Sequence, residues 1–165
     1  LLGASLESAQ LAAQLDWNFV FAAHLNGDKH LLREVLTRWR ELSRRDAIIA
    51  VQVIVADDSA TAADLANGVE VWGVELENGQ RVTVGSEAQA AAFARQAGSR
   101  PTRIARRESA VLFGTPEQVK AQLDALQSAL NIDEFIIDTP ISDGAARLNS
   151  LRLLAQAHLS AEVQP

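Results

Sequence analysis

Residues 46–58, DAIIAVQVIVADD, constrain the fold of this chain more than any other stretch. Ile48, Ile49, Val51, Val53, Ile54 and Val55 are all β-branched, and they follow one another too closely for a strand with one wet face. Such a run predicts a parallel strand buried on both faces. Parallel neighbours need crossover segments, so the sequence on either side should alternate between helix and strand.

It does. Residues 5–15 carry Leu6, Ala9, Ala12 and Ala13 at helical spacing, and 18–23 (NFVFAA) read as a short buried strand. Residues 28–43 form an amphipathic helix, with Leu31, Leu32, Val35, Leu36, Trp39 and Leu42 in one stripe and Asp28 near its start. Helices are also expected over 86–97 and 143–159. The clearest helix start is GTPEQV, with Thr115 as N-cap, Pro116 at the first helical position and Gln118 closing a capping box. Strands are expected at about 1–3, 18–23, 47–56 and 134–138, giving a parallel α/β architecture. Such a sheet needs helices on one side and more protein on the other. Residues 98–109, GSRPTRIARRES, read as a loop. Residues 59–86 allow two readings. Val69 and Val71, then Asn78-Gly79, then Val82 and Val84 spell a β-hairpin. Ala62, Leu65, Val69, Trp72 and Leu76 instead spell a long helix, with Gly79 just past its end.

Composition narrows the function classes. A chain of 165 residues with 48% hydrophobic and 22% charged residues is one compact domain or a large piece of one. A net charge of -6 and a pI near 5.0 disfavour a general nucleic-acid surface. No apolar run approaches the roughly 20 residues that span a bilayer, and no signal peptide is read. The absence of cysteine excludes disulfides, thiolate metal sites and a cysteine nucleophile. A soluble cytoplasmic protein is the expectation.

Three motifs together resemble the C-terminal half of bacterial luciferase-like flavin-dependent monooxygenases. They are LLGASLESAQLAAQLDWNFVFAAHL, VLFGTPEQVKAQLDAL and NIDEFIIDTPISDGAARLNSLRLLA, which occur in the family's order and span almost the whole chain. The resemblance implies a single partial domain over 1–165: strands five to eight of a (β/α)8 TIM barrel, a fold that takes roughly 250 residues when complete. It also implies a helical and loop excursion at about 59–110, and so favours the helical reading of 59–77. The implied activity is oxygenation of a small organic substrate with O2 and reduced FMN, the reduced flavin coming from a separate reductase. The chain is then expected to form a homo-oligomer or to pair with a missing N-terminal half, and to show no turnover alone. The other reading is a noncatalytic half-barrel serving as an assembly or ligand-binding module.

Candidate site residues gather at the strand ends. Ser5 and Ser8 sit where a helix begins, and free amides and the helix dipole favour an anion there; equally, Ser5 is simply the N-cap. The resemblance places the flavin phosphate at this turn, with help from the amides of Leu6 and Ala9, and with Ala4 where relatives carry another serine. It sets Leu2 and Gly3 against the flavin ring, and Ala22, Ala23 and His24 around the same mouth. His24 is otherwise a solvated loop histidine. Arg100, Arg103, Arg106 and Arg107 are either an active-site loop that meets an acidic group or a solvated loop; the solvated reading is preferred. Asp138, Thr139 and Pro140 end the last strand, and Thr139 or Asp143 is a candidate cap. His24, His30 and His158 lie on different elements, so no metal site is expected, and no catalytic residue is assigned. A Ser5/His24/Asp138 hydrolase has no Gly-x-Ser-x-Gly elbow behind it. No nucleotide-binding glycine motif is present. Trp17, Trp39 and Trp72 are expected to pack in the core.

Overall fold

A computed structural model describes residues 1–24 and 28–162. Leu25, at the end of the first motif, lies outside the described residues. The elements in chain order are β1 (Leu2–Gly3), α1 (Leu6–Gln14), β2 (Val20–Ala22), α2 (Lys29–Ser43), β3 (Ile48–Val55), α3 (Ser59–Asn67), β4 (Val71–Leu76), β5 (Arg81–Val84), α4 (Glu87–Gln96), β6 (Pro101–Arg107), β7 (Leu112–Gly114), α5 (Pro116–Leu130), β8 (Glu134–Asp138) and α6 (Gly144–Glu162). They form two compact units, one of Leu1–Ala66 with Ala110–Pro165 and one of Asn67–Ser109.

The first unit is built on a parallel sheet in which β1 pairs β2, β2 pairs β3, and β3 pairs both β8 and β7. The β-branched run at 48–55 is its central strand, as its composition requires. It is joined to β8 along 48–52 and to the short β7 along 53–55. Sequence reading found four of these strands and missed β7, whose three residues are too few to show a period.

The odd-numbered side of the sheet is the core face. Phe21, Ile49, Val51, Val53 and Val55 are buried there against Ala9 and Ala12 of α1, Val35, Leu36 and Trp39 of α2, and Val119 of α5. Phe19 and Trp39 meet at 5.6 Å between ring centroids, and the Trp39 indole N–H donates to the Asp46 carbonyl at 3.0 Å. Trp39 therefore packs as expected. Trp17 does not: it is 54% exposed, because it follows α1 on a turn rather than on the helix's buried stripe.

The helix ends obey their sequence signals. Asp28 caps α2 through its carboxylate, which accepts from the amides of His30 and Leu31. Thr115 and Gln118 form the expected capping box. The α6 cap is Asp143, which accepts from the Ala146 amide at 2.8 Å, whereas Thr139 is buried. Helix α5 ends at Asn131 in the left-handed region, and Arg40 of α2 donates to the part-buried Leu130 carbonyl at 2.8 Å.

The second unit corrects the sequence reading. The long helix over 59–77 does not form: α3 stops at Asn67, and Val71–Leu76 is a strand paired antiparallel with Arg81–Val84 across the Asn78-Gly79 turn. Trp72, Val74 and Leu76 alternate onto one face, where they pack against Ala90, Phe93 and Ala94 of α4. Residues four apart fit either period, so Trp72 and Leu76 alone did not discriminate; Gly68, the valines and the turn did. Residues 101–107 are also a strand rather than a loop, completing a β5–β4–β6 sheet.

Candidate functional site

The C-terminal end of β1 turns directly into α1. Gly3 is required there because a Cβ at this position would fall 2.4 Å from Ser8 Oγ and 2.5 Å from Ser8 Cβ. Ser5 is the N-cap, in extended conformation, and forms a reciprocal box with Ser8. Ser8 N–H donates to Ser5 Oγ at 3.3 Å, Ser5 N–H donates to Ser8 Oγ at 3.2 Å, and the Ser8 hydroxyl donates to the Ser5 carbonyl at 2.7 Å. The capping role of Ser5 is therefore real. The Ala9 amide, expected among the anion donors, is used inside the helix, where it bonds the Ser5 carbonyl.

The chain's own carboxylate shows what this turn can hold. Glu7 has its pKa lowered below the usual glutamate range, first by its own backbone N–H and then by the Ser5 hydroxyl. Negative charge is therefore favoured at the first turn of α1, where Glu7 is an exposed side chain.

Beside this turn lies the even-numbered face of the sheet. Leu2, Val20, Ile48 and Glu134 form one row in register, Ala22, Ala50 and Ile136 the next, and Gln52 and Asp138 the last. Leu2 is 58% exposed and Ile136 46%, whereas Ala22 and Ala50 on the same face are buried. The structure thus brings Leu2 and Ala22 onto one face, with Gly3 and Ala4 leading into the capped turn. Ala23 follows β2 and donates its amide to the Ala50 carbonyl at 3.0 Å. His24 comes next, and its Nδ1 is buried with no hydrogen-bond partner. The residue as a whole is partly exposed.

Sequence reasoning missed Gln52. Its side-chain amide donates to Asp138 Oδ2 at 2.9 Å, linking β3 and β8 on the even-numbered face. The available signal was a single polar residue inside an otherwise apolar strand. Asp138 therefore lies on the same sheet face as Leu2 and Ala22, whereas Thr139 is buried. The arginines lie in the second unit, on β6 and at its approach. Among the described residues, no group of three His, Asp or Glu side chains is arranged to hold a metal, and no helix is long and apolar enough to cross a membrane.

A parallel half-sheet with helices on one face and a capped turn at a strand's C-terminal end is the layout of half a TIM barrel. Solved structures agree on the fold. Apo-MsnO8 superposes with a TM-score of 0.64 at 22% identity, covering 100% of this chain and 51% of that one. The oxygenating constituent of 3,6-diketocamphane monooxygenase from Pseudomonas putida, a type II Baeyer-Villiger monooxygenase in complex with FMN, gives 0.61 at 18% identity, covering 94% and 46%. No family model matches the sequence. Among curated proteins, an N-acetyl-S-alkylcysteine monooxygenase of Bacillus subtilis is 32% identical over 98% of this chain and 49% of its own length. A luciferase-like monooxygenase of Escherichia coli is 30% identical over 93% of this chain and 47% of its own. The chain belongs to the luciferase-like monooxygenases. It spans about half the length of the curated relatives it matches.

Proposed function

We propose that this chain is the C-terminal half of an FMN-dependent monooxygenase barrel. The observation that carries this reading is the Gly3–Ser5–Ser8 turn at the end of β1, set beside a sheet face exposed at Leu2 and Ile136, with His24 Nδ1 unpaired. The amides of Leu6 and Glu7 and the Ser5 hydroxyl would bind the flavin phosphate. Ser8 would brace the turn, and Gly3 and Ala4 would let the backbone approach closely. Leu2, Ala22 and Ala23 would form an apolar wall for the ring, and His24 would offer one ring nitrogen to a flavin or substrate polar atom. Bound and reduced, by a separate reductase in this reading, the flavin supplies the two electrons that let one atom of O2 enter a small organic substrate while the other leaves as water. The chain's own contribution is binding, orientation and exclusion of water. The lack of cysteine suits a cytoplasmic setting.

Flavin fluorescence titration tests the reading. The chain alone should bind FMN weakly and show no turnover, and adding a complementary N-terminal half should tighten binding. Tight binding by the chain alone would show that one half suffices, and no binding even with the other half would overturn the flavin assignment.

A second reading is a noncatalytic assembly module, favoured by the exposure of Leu2 and Ile136 on a sheet face. Light scattering separates the two: stable self-association without flavin binding would support the module.

A further inference from the structure

The arginines set aside as solvated loop residues take a different form in the second unit. The face of the β5–β4–β6 sheet that turns away from α4 carries a cross-strand row, Arg81–Glu75–Arg103, in direct register. Arg107 joins it from the next row but one. Its guanidinium lies over Gly73, where a Cβ would fall 2.1 Å from Arg107 Nε, and reaches to 3.7 Å from Glu75 Oε1. Arg106 pairs with Trp72 and so belongs to the other, helix-covered face. Three arginines thus share one sheet face with one carboxylate. The contact from Arg107 is too long for a hydrogen bond, and all three guanidinium-bearing residues are exposed.

The charge distribution makes this face an exception. Residues 67–109 hold six arginines against five glutamates, while the chain as a whole carries a net charge of -6. Solubility alone asks only for charge at an exposed edge. It does not ask for a glycine that lets one arginine lie flat on the strand, nor for two more flanking the same carboxylate. Guanidinium forks match planar carboxylates in a bidentate way, and Glu75 beside Arg107 is a resident example of the group they bind.

We propose that this face binds the carboxylate of a small organic acid, with Arg81 and Arg103 as the principal donors and Arg107 closing from the Gly73 side.

The test is NMR on the full 15N-labelled chain, following arginine Nε–Hε signals. The probes are N-acetyl-S-methylcysteine, its neutral primary amide and inorganic phosphate. The expected result is saturable shifts at Arg81, Arg103 and Arg107 with the acid only, weakened at least fivefold in Arg103→Gln and in Arg81→Gln. Arg103→Lys, which keeps the charge but not the fork, should recover only part of the affinity. Equal response to the amide, equal response to phosphate, shifts confined to the amides of residues 5–8, or no saturation would each overturn the proposal. FMN titration of the same samples keeps the two ideas apart, because failure to bind flavin would leave an arginine response intact.

Discussion

Two strand-to-helix turns in the first unit are built on one plan and finished differently. At 3–8, Gly3 ends β1, Ser5 caps α1 and Ser8 closes the box. At 114–118, Gly114 ends β7, Thr115 caps α5 and Gln118 closes the box. Each glycine exists to clear the side chain that closes its box, Ser8 in one and Gln118 in the other. Each first turn also holds a glutamate, Glu7 or Glu117, whose pKa is lowered by its own amide and by the cap hydroxyl. The difference lies in what closes the box. The Gln118 amide oxygen accepts from the Thr115 N–H at 2.9 Å and from the Ser59 hydroxyl at 3.0 Å, tying α5 to α3. Ser8 is short and bonds only within its own turn. One turn is tied to a neighbouring helix; the other is closed within itself at the end of β1.

Substituting the glycines should break the comparison most strongly. Gly114 has a φ of +152°, and a Cβ there would meet Gln118 Oε1 at 2.6 Å, so Gly114→Ala combines backbone strain with a clash. Gly3→Ala brings the clash alone. Each should destabilise by about 1–3 kcal/mol, with Gly114→Ala the worse, read from urea midpoints at constant slope.

Removing the caps comes next. Ser5→Ala and Thr115→Ala should each cost about 1 kcal/mol. Only Ser5→Ala should also weaken FMN binding, and equal weakening by both would erase the functional distinction between the turns.

The glutamates give smaller effects. Glu7→Gln should raise FMN affinity roughly two- to fivefold by removing a competing carboxylate from the helix start, and Glu117→Gln should leave it unchanged.

Smallest is the pH response. Because the folded-state pKa values of Glu7 and Glu117 are lowered, their contributions to stability are present above the unfolded glutamate value of about 4.3 and fade as pH falls through the folded values. Urea midpoints measured from about pH 6 to 3 should therefore fall slightly less in a Glu7→Gln, Glu117→Gln double variant than in the parent.

The parallel half-sheet was legible because its signals are local and redundant. The β-branched run, the leucine stripe of α2 and the Thr115–Gln118 box each specify one answer. The small antiparallel sheet was not, because its apolar residues satisfy two periods and its last strand, PTRIARR, carries arginines where a strand usually shows alternation. At the candidate site, Ser5 as a cap could be read from residue type. The Glu7 carboxylate in the same turn, the unpaired nitrogen of His24 and the link from Gln52 to Asp138 could not, since each depends on where neighbouring strands end.

The pairing of β3 with β7 has one more consequence. Residues 53–55 and 112–114 are zipped together, and the Ala56 amide still reaches the Gly114 carbonyl at 3.1 Å. Whatever the chain does between those points, its two roots are clasped side by side. The entropy of closing that long excursion is met by the clasp and grows only slowly with length. Within it, the segment Asn67–Ser109 is in effect a cassette: it should tolerate lengthening, trimming or exchange while the parallel sheet keeps its register.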